Sequence, residues 1–129
     1  MHTWDDAHAA GVETFYVTPD GQLRMRQQGL SKDQLAAARR HRHQIVAEWL
    51  WTLADPLPTI AWDEDLAHAI LSVAAQRMDG PSLSPHGDWA LVHLTEAQLM
   101  GVWSTHSIAE IVRASQRWLT AVKGLQQIP

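Results

Sequence analysis

The chain has 129 residues, 46% of them hydrophobic, with a net charge of −4 and no cysteine. That is enough apolar material for one domain with a real core, or two very small ones packed together, and it excludes wholesale disorder. Without cysteine there are no disulfides, thiolate nucleophiles or sulfur-ligated zinc sites.

The start, MHTWDDAHAAG, lacks a positive region followed by an apolar run. No stretch approaches the roughly eighteen apolar residues that span a bilayer, so the expectation is a cytoplasmic protein without membrane contact. Between Val12 and Thr18 the pattern alternates, with Phe15 and Val17 on one side and Thr14, Tyr16 and Thr18 on the other. After the turn residues Pro19, Asp20 and Gly21, Leu23 and Met25 alternate with Arg24 and Arg26. This predicts a β-hairpin with one apolar and one polar face. A lone hairpin is marginal in water, so the apolar face needs cover from the next segment. There Ser31 and Gln34 form a capping box, and Leu35, Ala38, Arg42, Ile45, Val46, Trp49, Leu50 and Leu53 recur at helical spacing. The expectation is one helix over 31–53 lying on the hairpin.

At this point residues 10–50, AGVETFYVTPDGQLRMRQQGLSKDQLAAARRHRHQIVAEWL, resemble the small N-terminal docking domains of hybrid nonribosomal-peptide and polyketide synthetases, the TubC type. Ala10-Gly11-Val12, Leu23-Arg24-Met25-Arg26, Leu30 and the segment from Ile45 to Leu50 carry the likeness. The resemblance implies an αββαα fold, which on this chain gives a docking-domain-like αββα unit over 1–54. It also implies dimerisation and capture of a short, often acidic peptide along the exposed hairpin, with Arg24 and Arg26 as contacts.

Asp55-Pro56-Leu57-Pro58 ends the long helix and links it to a second, small helical unit over 59–129, packed on the first. Asp63, Glu64 and Asp65 suit the positive end of a helix dipole, and Leu66, Ile70, Leu71, Ala74 and Met78 make its stripe. Residues 79–88 read as a loop. Asp88 to Leu94 read as extended, and Thr95 with Gln98 as a capping box for a short helix to Trp103. Ile108, Ile111, Val112, Ser115, Trp118, Leu119 and Val122 hold a helical period over four turns, giving the clearest helix of the chain. The fold class expected is α+β: mostly helical, one hairpin packed on a long helix, then a helical unit.

Charge is unevenly distributed. Residues 24–43 carry six bases against Asp33, a balance of +5, while residues 1–23 stand at −4 and residues 44–129 at −5. A basic patch on an acidic body fits an acidic peptide, an anion or nucleic acid. The run Arg39-Arg40-His41-Arg42-His43 extends the hairpin's patch. Positions i and i+2 lie on different helix faces, so His41 and His43 cannot close on one ion, and no metal or cofactor is expected. No nucleophile turn accompanies His86, His93 or His106, and no glycine-rich phosphate loop occurs. Nothing thus points to an enzyme.

Of seven tryptophans, Trp49 and Trp118 fall on apolar stripes and are expected in the core. Trp51 falls off its stripe and, with Trp62, is either packed between the units or offered to a partner, including a second copy in a homodimer. The expectation is therefore a non-catalytic interaction module that captures an acidic peptide or protein surface. Tyr16, Arg24 and Arg26 form its preferred face, Arg39, Arg40 and Arg42 extend it, and Trp51 is a further contact. Two alternatives compete. One is an accessory or inhibitor protein of a phage or mobile element. The other is a small DNA-binding protein using 95–120 as a helix-turn-helix, where Ala97 and Gly101 match the motif's small positions and Arg113, Arg117 and Lys123 supply charge.

Overall fold

Thr3 caps helix α1 (Trp4–Ala10), its side chain accepting a hydrogen bond from the Asp6 amide at 3.1 Å. The structure, a computed structural model, describes residues 2–78 and 85–126; most of the loop expected over 79–88 lies outside them. Gly11 stops α1 with φ +131°, donating to the carbonyls of Ala7 and His8. A Cβ there would stand 2.4 Å from the Gln28 carbonyl oxygen, so a glycine is required where the hairpin's end crosses the helix.

Strands β1 (Val12–Val17) and β2 (Leu23–Gln27) pair antiparallel, with Tyr16 opposite Arg24 and Phe15 opposite Met25. One extra residue, Glu13, bulges out between Val12 and Thr14. The bulge resets the alternation, so that Val12 and Phe15 both turn inward although three residues apart. In the turn, the Thr18 amide donates to Gln22 at 2.8 Å and its hydroxyl bonds the Asp20 carboxylate. That hydroxyl holds the Asp20 carboxyl below its ordinary 3.8.

The capping box forms as expected: the Gln34 amide donates to Ser31 Oγ at 3.1 Å and the Ser31 amide to Gln34 Oε1 at 2.9 Å. The single helix expected over 31–53 is instead two, α2 (Lys32–Arg40) and α3 (Arg42–Trp51), parted at His41 with φ −109° and ψ 21°. The physical reason lies in the run 39–43. It puts like charges side by side and contributes nothing apolar to a buried stripe, so nothing holds the helix continuous there. The break lets Ile45, Val46, Trp49 and Leu50 enter the core, while α2 contributes Ala38 to a smaller cluster with Val12 of the hairpin. Arg42, counted on the expected stripe, is exposed.

Helix α4 (Glu64–Gln76) starts at Asp63, whose Oδ1 accepts from the Leu66 amide at 3.1 Å. Asp88 likewise caps α5 (Trp89–Trp103) through the Leu91 amide at 3.0 Å, and α6 (Ile108–Gln126) follows a short turn. Two expectations fail here. Residues 89–94 are helical rather than extended, and Thr95 is no cap but a buried mid-helix residue whose hydroxyl donates to the Leu91 and Val92 carbonyls. The run WALVHL is apolar on nearly every side, so its period could not distinguish strand from helix.

The fold is α+β, with one two-stranded hairpin and six helices among the described residues. Its main core joins α3, α4 and α6 through Trp49, Leu50, Ile70, Val73, Ile111 and Val112, and Ile60 belongs to it. A smaller cluster, Ala7, Val12, Ala38 and Ile45, ties α1 and the hairpin to α2 and α3. Val92 of α5 packs with Ala121, Val122 and Leu125 of α6, and Trp118 is half-buried against that third cluster. Ser115, on the apolar stripe of α6, is fully buried with its hydroxyl donating to the Val112 carbonyl at 2.8 Å. No helix among the described residues is long and apolar enough to cross a membrane.

Candidate binding cleft

A two-stranded sheet has two edges, and here α1 packs beside β1 while, among the described residues, β2 has no strand on its far side. The Thr18–Gln22 bond fixes the phase of the ladder, so Tyr16 with Arg24 and Thr14 with Arg26 are the hydrogen-bonded pairs. The backbone groups of Leu23, Met25 and Gln27 therefore point to the free edge. Beyond that edge lies a cleft of about 860 Å³, bounded by β2, by α2 and α3, and at one end by residues 60–63.

Side chains give the cleft an apolar interior and a basic rim. Phe15, Met25, Leu35, Ala38, Ile45 and Ile60 line its inside. Arg24 borders it from the hairpin, and Arg39 and Arg42 from the helical corner opposite. All three arginines are exposed. At the closed end, the Ala61 amide donates to the Gly21 carbonyl at 2.9 Å, a first rung of strand pairing at the start of β2 supplied by the chain itself. Gly21 has φ +85°, and a Cβ on it would come within 3.2 Å of Ala61, so this close approach also depends on a glycine.

The same end holds His43 and Asp63, with His43 Nε2 3.2 Å from Asp63 Oδ2. This bond ties α3 to the start of α4. Asp65 also brings a carboxylate oxygen near, the three ligand atoms lying within 4.8 Å of one another, so these are the side chains whose spacing suits a cation. Neighbouring histidines alone do not reveal the grouping, because Asp63 lies 20 residues from His43 along the chain and Asp65 two further on. Glu64, between Asp63 and Asp65 in the acidic run, faces His68 at 3.8 Å.

The outer face of the hairpin carries Tyr16, Arg24 and Arg26 together, as the alternation predicts; the Arg26 guanidinium lies 5.5 Å from the centre of the Tyr16 ring. Tyr16 is 45% exposed. Arg40 is exposed but does not line the cleft. Next to it in the chain, His41 packs its ring edge-on to His2 at 4.0 Å. Partial burial, with the charges of His2 and Arg40 adding to it, keeps His41 below the ordinary 6.5.

Trp51 is not among the residues lining the cleft. It is half-buried against the main core, with the Arg77 guanidinium 4.9 Å from its ring centre. Trp62 is also half-buried, stacked on His106 at 4.7 Å and edge-on to Trp103 at 5.5 Å. Of the two alternatives for this pair, both side chains adopt the packed one in part, each half-buried against its neighbours. Of the arginines assigned to a recognition helix, Arg113 is engaged: its Nε and Nη2 meet Asp55 Oδ1 at 2.7 and 2.5 Å, and its Nη1 donates to Gln116. A scan against protein-family models, a search of curated proteins and a search of solved structures each return no match, so the functional reading rests on this chain's own residues.

Proposed function

We propose that this protein is a non-catalytic capture module that takes an extended acidic segment of a partner as an added strand on β2. The observation that carries the reading is the free edge of β2 running along an apolar cleft whose rim holds Arg24, Arg39 and Arg42. Main-chain bonds to Leu23 and Met25 supply affinity without regard to sequence, and the side chains on either face supply selection. Alternation then defines the ligand. Residues of the added strand on the outer face lie beside Arg24 and Arg26 and are acidic, while those between them point into the cleft and are apolar. At about 3.3 Å per residue, the five residues of β2 span about 17 Å, so the recognised core is about five residues long.

A synthetic peptide of alternating Glu and Val, labelled for fluorescence anisotropy, tests this. It should bind, and a peptide of the same composition with its glutamates grouped together should bind at least tenfold more weakly. Random duplex DNA at physiological salt should not displace it. Equal binding of both peptides would sink the strand-addition reading, and displacement by DNA would replace a peptide partner with nucleic acid.

A further inference from the structure

Among the described residues, three of the four exposed large hydrophobic side chains lie on one helix, α5: Leu91 at 44%, Leu94 at 55% and Met100 at 72% exposure. Val92 and Thr95 turn that helix's inner side onto α6. At 100° per residue, the side directly opposite carries Ala90, Leu94, Ala97 and Gly101, with His93 and Met100 at its margin. No charged residue falls along that outward line. A helix apolar on both sides is ordinarily covered on both, and these residues lie well outside the span that resembles a docking domain.

We propose that α5 is covered by α5 of a second copy, the two helices running antiparallel about a two-fold axis between residues 95 and 96. The sequence is self-complementary in that arrangement. Leu94 of each copy sits over Ala97 of the other, and Ala90 meets Gly101, so bulk faces a gap and the backbones approach closely. The titratable groups of α5 are His93 and Glu96, on one flank. Antiparallel pairing keeps this flank against the same flank of the partner and brings each His93 beside the opposite Glu96, an imidazole facing a carboxylate twice over, whereas parallel pairing turns it toward the partner's other flank, which holds Leu91 and Gln98. A lipid surface fits less well, because α5 has no Lys or Arg to meet anionic headgroups. The helix is about 22 Å long, so the interface is at the small end of specific ones and assembles at micromolar rather than nanomolar concentration.

Sedimentation from about 1 to 200 μM should show the 14.5 kDa chain passing to twice that mass. Leu94→Glu, on an exposed position, should hold it monomeric across that range, with a melting temperature equal to that of the parent chain at about 1 μM, where both are monomers. Because the chain has no cysteine of its own, Leu94→Cys and Ala97→Cys chains can be mixed and oxidised. The mixture should give mainly the crossed disulfide dimer. A monomer throughout the range overturns the proposal, as does a dimer that survives Leu94→Glu. Self-linked Leu94→Cys dimers outnumbering the crossed product would overturn the antiparallel arrangement.

Discussion

The hairpin end and the α3–α4–α6 body bury their apolar side chains to very different degrees. In the body, Ile70, Ile111 and Val112 are inaccessible to solvent. At the hairpin end Phe15, Leu23, Met25, Leu30 and Leu35 remain only partly covered. The charge differs in the same sense, with the basic run at the hairpin end and an acidic excess over the remainder. Stability and recognition are therefore divided between regions: one end spends its apolar surface on folding, and the other leaves part of it along an open strand edge. An incompletely covered apolar groove rimmed by one sign of charge is what an amphipathic strand of opposite sign would complete.

The sharpest way to break this division is to cut equivalent side chains on either side of it. Ile111→Ala, in the body, should cost about 2–5 kcal/mol in urea unfolding through lost transfer energy and an unfilled cavity. Gly11→Ala comes next, at about 1–3 kcal/mol, because positive φ and the Gln28 carbonyl both oppose a Cβ. Met25→Ala, on the half-covered inner face, should cost about 1 kcal/mol in the same assay yet weaken Glu/Val peptide binding tenfold or more. If Met25→Ala proves as damaging to stability as Ile111→Ala, the cleft is part of the core and the division fails.

Arg24→Glu with Arg26→Glu should shift stability by less than about 0.5 kcal/mol, since both side chains are exposed, while abolishing peptide capture. The smallest effect belongs to pH. His41 has its folded value held below 6.5, so the unfolded chain takes up its proton first. Its contribution to stability is present above about pH 6.5 and is lost as pH falls through the folded value. Its ring resonances in an NMR titration should move with a midpoint under 6.5; a midpoint at or above it would mean the contact with His2 and Arg40 does not persist.

What the sequence revealed was local. Ser31 and Gln34, three residues apart, announced their capping box, and the alternation around Pro19-Asp20-Gly21 placed Arg24, Arg26 and Tyr16 on one face of a hairpin. What it concealed depends on distance or on ambiguity of period. The cleft exists because the chain breaks at His41 and because residues 60–63 return to the hairpin turn, neither of which a window of neighbouring residues contains. His43 and Asp63 meet across 20 positions for the same reason. Helix α5 was misread at its start because a segment apolar all round carries no phase, a property that also marks it as needing cover on two sides.

The account turns on the free edge of β2, and amide hydrogen exchange observes that edge residue by residue. Without ligand, the amides of Leu23 and Met25 should exchange quickly while that of Arg24, bonded within the ladder, exchanges slowly. With saturating Glu/Val peptide, Leu23 and Met25 should slow by at least tenfold. Peptide binding that leaves both amides exchanging as before, with protection gained on α5 or α6 instead, would contradict strand addition at the hairpin and move the binding face to the opposite end of the molecule.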